Sequence, residues 1–314
     1  MIKSNAPILV LGSRGLVGSA ITRELKRSEH TNLLLPSFEE LDLSKQQAVL
    51  DYFKKHEPEY VILAAAKVGG IHANNTYRAD FIFQNLSIEI NVFQAAFESR
   101  VKRMLFLGSS CIYPRECPQP IKEEYLLTGP LEPTNEPYAI AKIAGLKMAE
   151  SFRRQHGCDY FSAMPTNLFG PGDNYDEKNA HVIPGLIARM ARAIREKNET
   201  FEVWGSGRPR REFLFVDDLA KACVFLLKHN GWVPDLINIG TGEDIAISEL
   251  AQLIGKKMGF NGKIVFDPKY PDGTMRKLLD VSKIKSLGWK PTVTLDHGLD
   301  IAIEWYRKNI EQKA

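Results

Sequence analysis

An α/β fold, a doubly wound parallel sheet with a smaller C-terminal α/β lobe, is predicted by three observations. Short apolar runs alternate with amphipathic stretches through the first half, a glycine-rich turn joins the first run to the first amphipathic stretch, and the second half is less regular. Ile8–Leu11, Asn32–Leu35, Tyr60–Ala65 and Arg103–Leu107 read as buried strands. Between them Val17–Arg27, Ser44–Lys55 and Phe81–Ser99 carry apolar residues at helical spacing. Strands alternating with helices imply crossover units and a parallel sheet covered on both faces. Tyr138–His156 is a longer helical pattern, and Phe161–Met164 a further strand.

Gly170–Asn179, dense in Gly, Pro, Asp and Asn, reads as a loop. Ile183–Glu196 follows as a helix with arginines on one face, and Glu202–Trp204 as a strand ending at Gly205-Ser206-Gly207. Phe213–Val216 and Leu236–Ile239 read as strands returning to the structure, in a lobe whose chain crosses back into the sheet. Ser248–Met258 is expected to be a helix capped by Ser248, with Glu249 in its first turn. The expected division is residues 1–168 plus about 213–241 as one domain and 169–212 plus about 242–314 as the smaller lobe.

The 314 residues suffice for a full core, and 44% hydrophobic with 25% charged residues is ordinary for a globular protein. A net charge of +3 gives no case for nucleic acid. The four cysteines, Cys111, Cys117, Cys158 and Cys223, show no CxxC spacing, which favours reduced thiols and a cytoplasmic setting. The apolar run Pro7–Leu11 leads directly into glycines and so reads as a strand rather than a targeting segment. No stretch approaches the roughly 18 apolar residues of a membrane span, and no metal is expected.

Gly12-Ser13-Arg14-Gly15-Leu16-Val17-Gly18 follows the first strand and opens the first helix. Such glycines let the backbone turn sharply and approach a pyrophosphate, while the helix N-terminus offers amide donors and positive dipole. The spacing is GxxGxxG, and glycines at strand-to-helix turns also serve packing alone. An acid at the tip of the second strand, which would hold a ribose 2′-hydroxyl, is missing: the strand ends in Pro36-Ser37-Phe38, with Glu39 and Glu40 beyond. Arg14 can pair with a 2′-phosphate, which favours NADP, or stand as a solvated loop charge.

Tyr138 and Lys142 lie four apart at a helix start and so share one face. A phenol with a pKa of about 10 is a sluggish acid at neutral pH, and a nearby ammonium stabilises its phenolate. Taken alone, a YxxxK is more often an exposed helical pair. Gly108-Ser109-Ser110-Cys111, directly after the fourth strand, changes the balance by putting a hydroxyl at the carboxyl edge of the sheet.

The glycine turn, the strand-end serine and the YxxxK, in this order, resemble the short-chain dehydrogenase/reductase family. The length and the C-terminal lobe resemble its extended branch, which acts mostly on nucleotide sugars and has a Rossmann sheet. The resemblance implies NADP held by Gly12, Ser13, Arg14, Gly15, Leu16, Val17 and Gly18. It further implies contacts from Ala64, Leu107, Gly108, Ser109, Ser110, Lys142, Pro165, Thr166, Asn167, Leu168 and His181.

Longer segments resemble branch members that epimerise C3 and C5 of a GDP-linked 4-keto-6-deoxy sugar and reduce its C4 ketone. They are Leu63–Ile71, Gly108–Pro114, Glu132–Tyr138, Met164–Leu168, His181–Pro184 and Trp204–Gly207. By that resemblance Tyr138 supplies a proton, Ser109 hydrogen-bonds the reacting oxygen, Lys142 supports Tyr138, and Cys111 and His181 exchange protons at C3 and C5. By composition alone Cys111 reads as a small core residue and His181 as a surface one. Arg189, Trp204, Arg211, Asp272 and Lys277 are expected to contact the GDP-sugar. Arg208 and Arg210 remain either further phosphate ligands or solvated charges. The resemblance also implies a homodimer built on the helices Phe81–Ser99 and Tyr138–His156. Ser37 and Phe38 depart from the family pattern, where arginines are common, and leave room for NADH. The competing expectations are a 4-epimerase or 4,6-dehydratase of the same branch, or a catalytically silent cofactor sensor.

Overall fold

A computed structural model describes residues 2–176, 180–270 and 272–313; the end of the expected Gly170–Asn179 loop (177–179) and Pro271 lie outside them. The chain begins with strand β1 (Ile8–Leu11), helix α1 (Leu16–Arg27), β2 (Leu33–Leu34), α2 (Gln46–His56) and β3 (Tyr60–Leu63). The short α3 (Ile71–Thr76) leads into α4 (Arg78–Glu98), and β4 (Arg103–Leu107), α5 (Glu136–His156) and β5 (Asp159–Pro165) follow. The chain then runs through β6 (Asn167–Phe169), α6 (Val182–Arg195), β7 (Thr200–Trp204), β8 (Arg210–Arg211) and β9 (Phe213–Phe215). Helix α7 (Val216–Lys228) and β10 (Leu236–Ile239) bring it back to the sheet. The remainder is β11 (Ile245–Ala246), α8 (Ile247–Met258), β12 (Lys263–Asp267), β13 (Arg276–Lys277), α9 (Ser282–Ser286) and α10 (Leu295–Asn309).

Six strands form the central sheet in the order β10-β5-β4-β3-β1-β2, every pair parallel. The order reverses between β1 and β3, whose register runs from Ile8 opposite Tyr60 to Leu11 opposite Leu63. Helix α4 packs between α2 and α5, while α1 packs against α7. All four residues of β1 are buried because helices cover both sides of the strand. The inward stripe of α4 is Phe81, Asn85, Glu89, Val92, Phe93 and Ala96, two of them able to carry polar chemistry.

A second apolar core joins Ile183, Ile187 and Met190 of α6, Phe201 and Val203 of β7, Leu250 and Ile254 of α8, and Leu299 and Ile303 of α10. Leu279, Val281, Ile284 and Trp289 pack instead on the first core, the one around the central sheet that includes β1 and Phe93. In the second region β7 pairs with β12, β6 with β9, and β8 lies between β11 and β13. Among the described residues no helix is long and apolar enough to cross a membrane.

Two local expectations are corrected. Helix α8 starts at Ile247 and its N-cap is Ala246, not Ser248. Pairing of Ala246 with Arg210 holds the chain extended to that point. The helix therefore begins at the next residue, Glu249 accepts the Ala246 N–H at 2.9 Å, and the Ser248 N–H donates to Gly207. Val216, expected in a strand, opens α7, with Asp217 and Asp218 in the first turn where the helix dipole favours carboxylates. Asp218 also accepts the Thr292 and Val293 N–H groups at 2.7 Å, tying α7 to the C-terminal segment. Helices α7 and α10 and strand β12 are additional to the expected elements.

Candidate active site

Because the sheet is parallel, the residues after β1, β3, β4, β5 and β10 all emerge along one edge, beside the point where strand order reverses. Gly12 has φ +88° and lies so close to the next loop that a Cβ would be 2.8 Å from the Ala65 nitrogen. A Cβ on Gly18 would be 2.0 Å from the Gly12 carbonyl oxygen, so the start of α1 rests directly on the turn. Gly15, the N-cap, is exposed, carries no side-chain cap and has only the Gly12 oxygen, at 3.5 Å, near a built Cβ. The open ground above unsatisfied helix N–H groups is the form a pyrophosphate requires, and the loop fits a dinucleotide. Gly18→Ala is expected to weaken NADPH binding at least about tenfold. Fluorescence titration checks this, and an unchanged affinity would dissociate the loop from the cofactor.

At the end of β2, Arg14 faces Glu39 across 3.4 Å, both side chains exposed, and Phe38 is 73% exposed. Glu40 turns back to accept the Ser37 N–H at 2.7 Å. The Arg14 guanidinium is thus exposed, with Glu39 as its ion-pair partner. Next along the edge the Ala64 N–H donates to Leu11, and the Gly108 N–H to Ala163. Thr166 and Asn167 are fixed through their side chains to the Glu212 carbonyl. Leu107, Ser110, Pro165 and Leu168 hold the adjoining backbone of β4, its following turn, β5 and β6.

Ser109 caps the short 3-10 turn after β4, its hydroxyl accepting the Cys111 N–H at 3.3 Å. Tyr138 and Lys142 project from the first turns of α5, the Lys142 Nζ lying 5.8 Å from the Tyr138 ring centroid and 4.7 Å from that of Phe106. Phe81 meets Tyr138 edge-on at 6.4 Å. Burial raises the Tyr138 pKa well above its usual value, and the neighbouring Cys111 and Glu89 add to the rise. The phenol is thus a retained proton. Glu89 of α4 reaches Lys142 at 3.2 Å, with both side chains almost wholly buried. No sequence expectation covers Glu89; the signal it left is a lone carboxylate four residues beyond Asn85 on a buried stripe.

Cys111 is buried, and that burial pushes its thiol pKa up; Lys277, Ser109 and Lys142 act in the opposite direction. His181 is the exposed N-cap of α6, yet enough protein surrounds it to lower its pKa and favour neutral imidazole. Both groups therefore rest uncharged. The pairing of β13 with β8 sets Lys277 opposite Arg211. Burial lowers the pKa of Lys277, while Cys111, Cys117 and Glu132 oppose the fall. Ser109, Cys111, Tyr138, Lys142 and Lys277 thus form one electrostatically linked group.

The residues expected to contact a GDP-sugar form a second patch. The Arg189 guanidinium lies 4.4 Å from the Trp204 ring centroid and donates to the Glu202 carbonyl. Trp204, 46% exposed, stacks on Tyr270 at 4.9 Å. Asp272 accepts the Ser206 N–H at 2.9 Å and its hydroxyl at 2.6 Å, which holds its carboxyl below the usual range. Burial lowers the Arg211 pKa, against the pull of Asp272 and Glu132. Arg210 is tied to Asp244 at 2.7 Å, and Arg208 reaches the Ser206 hydroxyl at 3.3 Å. Arg210 is thus an ion-paired residue, and Arg208 is exposed.

A family model described as the NAD dependent epimerase/dehydratase family matches residues 8–240. The chain is 55% identical over 310 residues to GDP-L-fucose synthase 1 of Arabidopsis thaliana, covering 99% of this chain and 96% of the relative. It is 50% identical over 314 residues to the GDP-L-fucose synthase of Escherichia coli (strain K12), covering 98% of each. Among solved structures, a GDP-L-fucose synthetase from Naegleria fowleri bound to NADP aligns with a TM-score of 0.91 at 29% identity, over 99% of this chain and 95% of that one.

Proposed function

Since this chain belongs to the NAD dependent epimerase/dehydratase family, we propose that it makes GDP-L-fucose. It epimerises C3 and C5 of GDP-4-keto-6-deoxy-D-mannose and reduces the C4 ketone with NADPH. The carrying observation is the convergence of Ser109, Cys111, Tyr138 and Lys142 at the sheet's carboxyl edge, in a chain half identical from end to end to a GDP-L-fucose synthase.

Gly12 to Gly18 bind the pyrophosphate of NADP, with Arg14 toward the 2′-phosphate. Ala64, Leu107, Gly108, Ser110 and the segment 165–168 line the rest of its path. NADPH, when bound, supplies the hydride for C4. Tyr138 gives its proton to the C4 oxygen, the Ser109 hydroxyl hydrogen-bonds that oxygen, and the Lys142 ammonium steadies the phenolate left behind. The protons at C3 and C5 are acidic because both carbons flank the ketone. Cys111 and His181 remove and return them on opposite faces of the sugar, and His181 also borders the cofactor.

Arg189, Arg211 and Lys277 are assigned to the GDP phosphates and sugar, because guanidinium forks match phosphate oxygens. Trp204 covers the nucleotide, and Asp272 fixes the turn at Ser206 beside it. Residues 1–168 plus about 213–241 form the cofactor domain, and 169–212 plus about 242–314 the substrate lobe. The two apolar cores support that division, although 279–289 packs on the core of the central sheet and Phe213 and Phe215 pack on the other. A homodimer through α4 and α5 is supported by exposed Phe83 and Ile90 on α4 and Ile140 on α5. Four free thiols accord with a cytoplasmic setting.

The test is NADPH oxidation with freshly made GDP-4-keto-6-deoxymannose, with NADH in parallel. NADPH loss with GDP-fucose as product is expected. Nucleotide binding without turnover would point to a sister nucleotide-sugar enzyme or a silent sensor. Equal rates with NADH would mean that Arg14, opposed by Glu39, does not select the phosphate.

A further inference from the structure

We propose that Glu89 is the buried counter-ion that keeps the Lys142 ammonium charged and in place beside Tyr138, a positioning residue for ketone reduction. The inference rests on the Ser109–Tyr138–Lys142 reading above. Glu89 comes from a different helix from Lys142, and its carboxylate meets the ammonium at 3.2 Å with 1% and 2% of the two side chains exposed. Lys142 and the Gly145 backbone favour the ionised carboxylate, although among the described residues neither Glu89 oxygen makes a well-aligned hydrogen bond. A buried pair so incompletely satisfied is a weak source of stability, and apolar residues often replace such pairs at no cost. Its presence beside Tyr138 calls for another reason.

The surroundings are shaped around the carboxylate. Gly145 lies three residues after Lys142 on α5, and a Cβ there would be 2.8 Å from Glu89 Oε2 and 2.5 Å from the Phe106 ring. Helix α5 therefore lacks a side chain where Glu89 approaches. Lys142 is held between that carboxylate, the Phe106 face at 4.7 Å and the Tyr138 ring at 5.8 Å. A buried amine without an opposite charge tends to give up its proton, and a neutral amine cannot stabilise a phenolate.

The sign of the effect follows from charge. An ionised carboxylate favours the protonated form of Lys142, so its removal favours loss of that proton and of the cation that stabilises the Tyr138 phenolate. The titratable groups facing the cluster are Tyr138 and Lys142 from α5, Glu89 from α4, Cys111 from the turn after β4 and, beyond Cys111, Lys277 from β13. Burial, opposed by Lys142, raises the Glu89 pKa to about 7. The carboxylate is thus ionised above that pH and neutral below it, where glutamine is its close mimic.

The test compares Glu89→Gln with the unaltered protein, and Glu89→Asn with Glu89→Asp, two pairs that differ in charge at constant size. NADPH-dependent reduction is followed on both sides of neutrality. The Tyr138 phenol is titrated separately by near-ultraviolet absorbance, without cofactor or sugar, each variant against its Tyr138→Phe counterpart. Expected is a relative rate for Glu89→Gln that falls at least about tenfold from the acid to the alkaline side of pH 7, a free-energy change of about 1.4 kcal/mol. Glu89→Asn should behave alike against Glu89→Asp, and the phenol should titrate at higher pH in both neutral variants, because an amine that has lost its proton no longer stabilises the phenolate. An equal loss at every pH overturns the proposal, as does a phenol titration that stays in place or moves to lower pH, since Lys142 would then hold its charge without Glu89. So does failure of both neutral variants to fold, which would assign the pair to stability. If the unaltered protein reduces no keto sugar, the functional reading fails, and the phenol titration still decides the pair.

Discussion

Tyr138→Phe is expected to lower NADPH oxidation with GDP-4-keto-6-deoxymannose by about 10²- to 10⁴-fold, the range for loss of a positioned general acid. The substitution removes one oxygen and keeps the ring, so the edge-on contact with Phe81 and the position over Lys142 survive. The unaltered phenol keeps its proton strongly, through burial and then the nearby Cys111 and Glu89. It is a donor that parts with its proton only when a more basic oxygen is presented. Phenylalanine offers no proton, and Ser109 hydrogen-bonds but does not replace the acid. Deuterium exchange at C3 and C5 should continue in this variant, because it depends on Cys111 and His181. A variant still within tenfold of the unaltered rate would remove Tyr138 from the proton-donating role.

Cys111→Ser should act on the other half of the reaction. Deuterium wash-in at C3 and C5, followed by NMR with the 4-keto sugar, is expected to slow by about 10²-fold or more, since the thiol is a positioned acid–base group. Serine preserves the backbone N–H bond to Ser109 and is smaller than cysteine, so the turn after β4 has room for it. Its hydroxyl gives up a proton far less readily than a thiol near a pKa of about 8.5. Burial already raises the Cys111 pKa, and Lys277, Ser109 and Lys142 are the groups that lower the cost of forming a thiolate there. NADPH affinity should be unchanged, because the glycine turn after β1 is a separate structure. An unaffected wash-in rate would exclude Cys111 from the epimerisation.

Much of the scaffold was legible because local burial writes itself into local pattern. Ile8–Leu11, Arg103–Leu107 and Leu236–Ile239 form strands with the bounds expected from their apolar runs, each inside a sheet covered by helices. The expected Asn32–Leu35 shortens to Leu33–Leu34, the two residues that pair with Ile8 and Leu9 of β1. Ser248 misled because serine favours helix caps, whereas strand pairing at Ala246 decided where the helix began.

The sequence by itself determined the parallel sheet, the glycine turn at its carboxyl edge, and Tyr138 and Lys142 on one helical face. Each is a relation between residues near one another in the chain, set by the 3.6-residue turn or the two-residue pleat. Only the tertiary structure decided that Glu89 pairs with Lys142 from the neighbouring helix. It alone set Lys277 opposite Arg211 and within electrostatic reach of Cys111, and Arg189 over Trp204. These contacts follow from helix packing and strand register between distant segments. Chain-local periodicity does not carry that information, whereas burial makes its chemical consequences large.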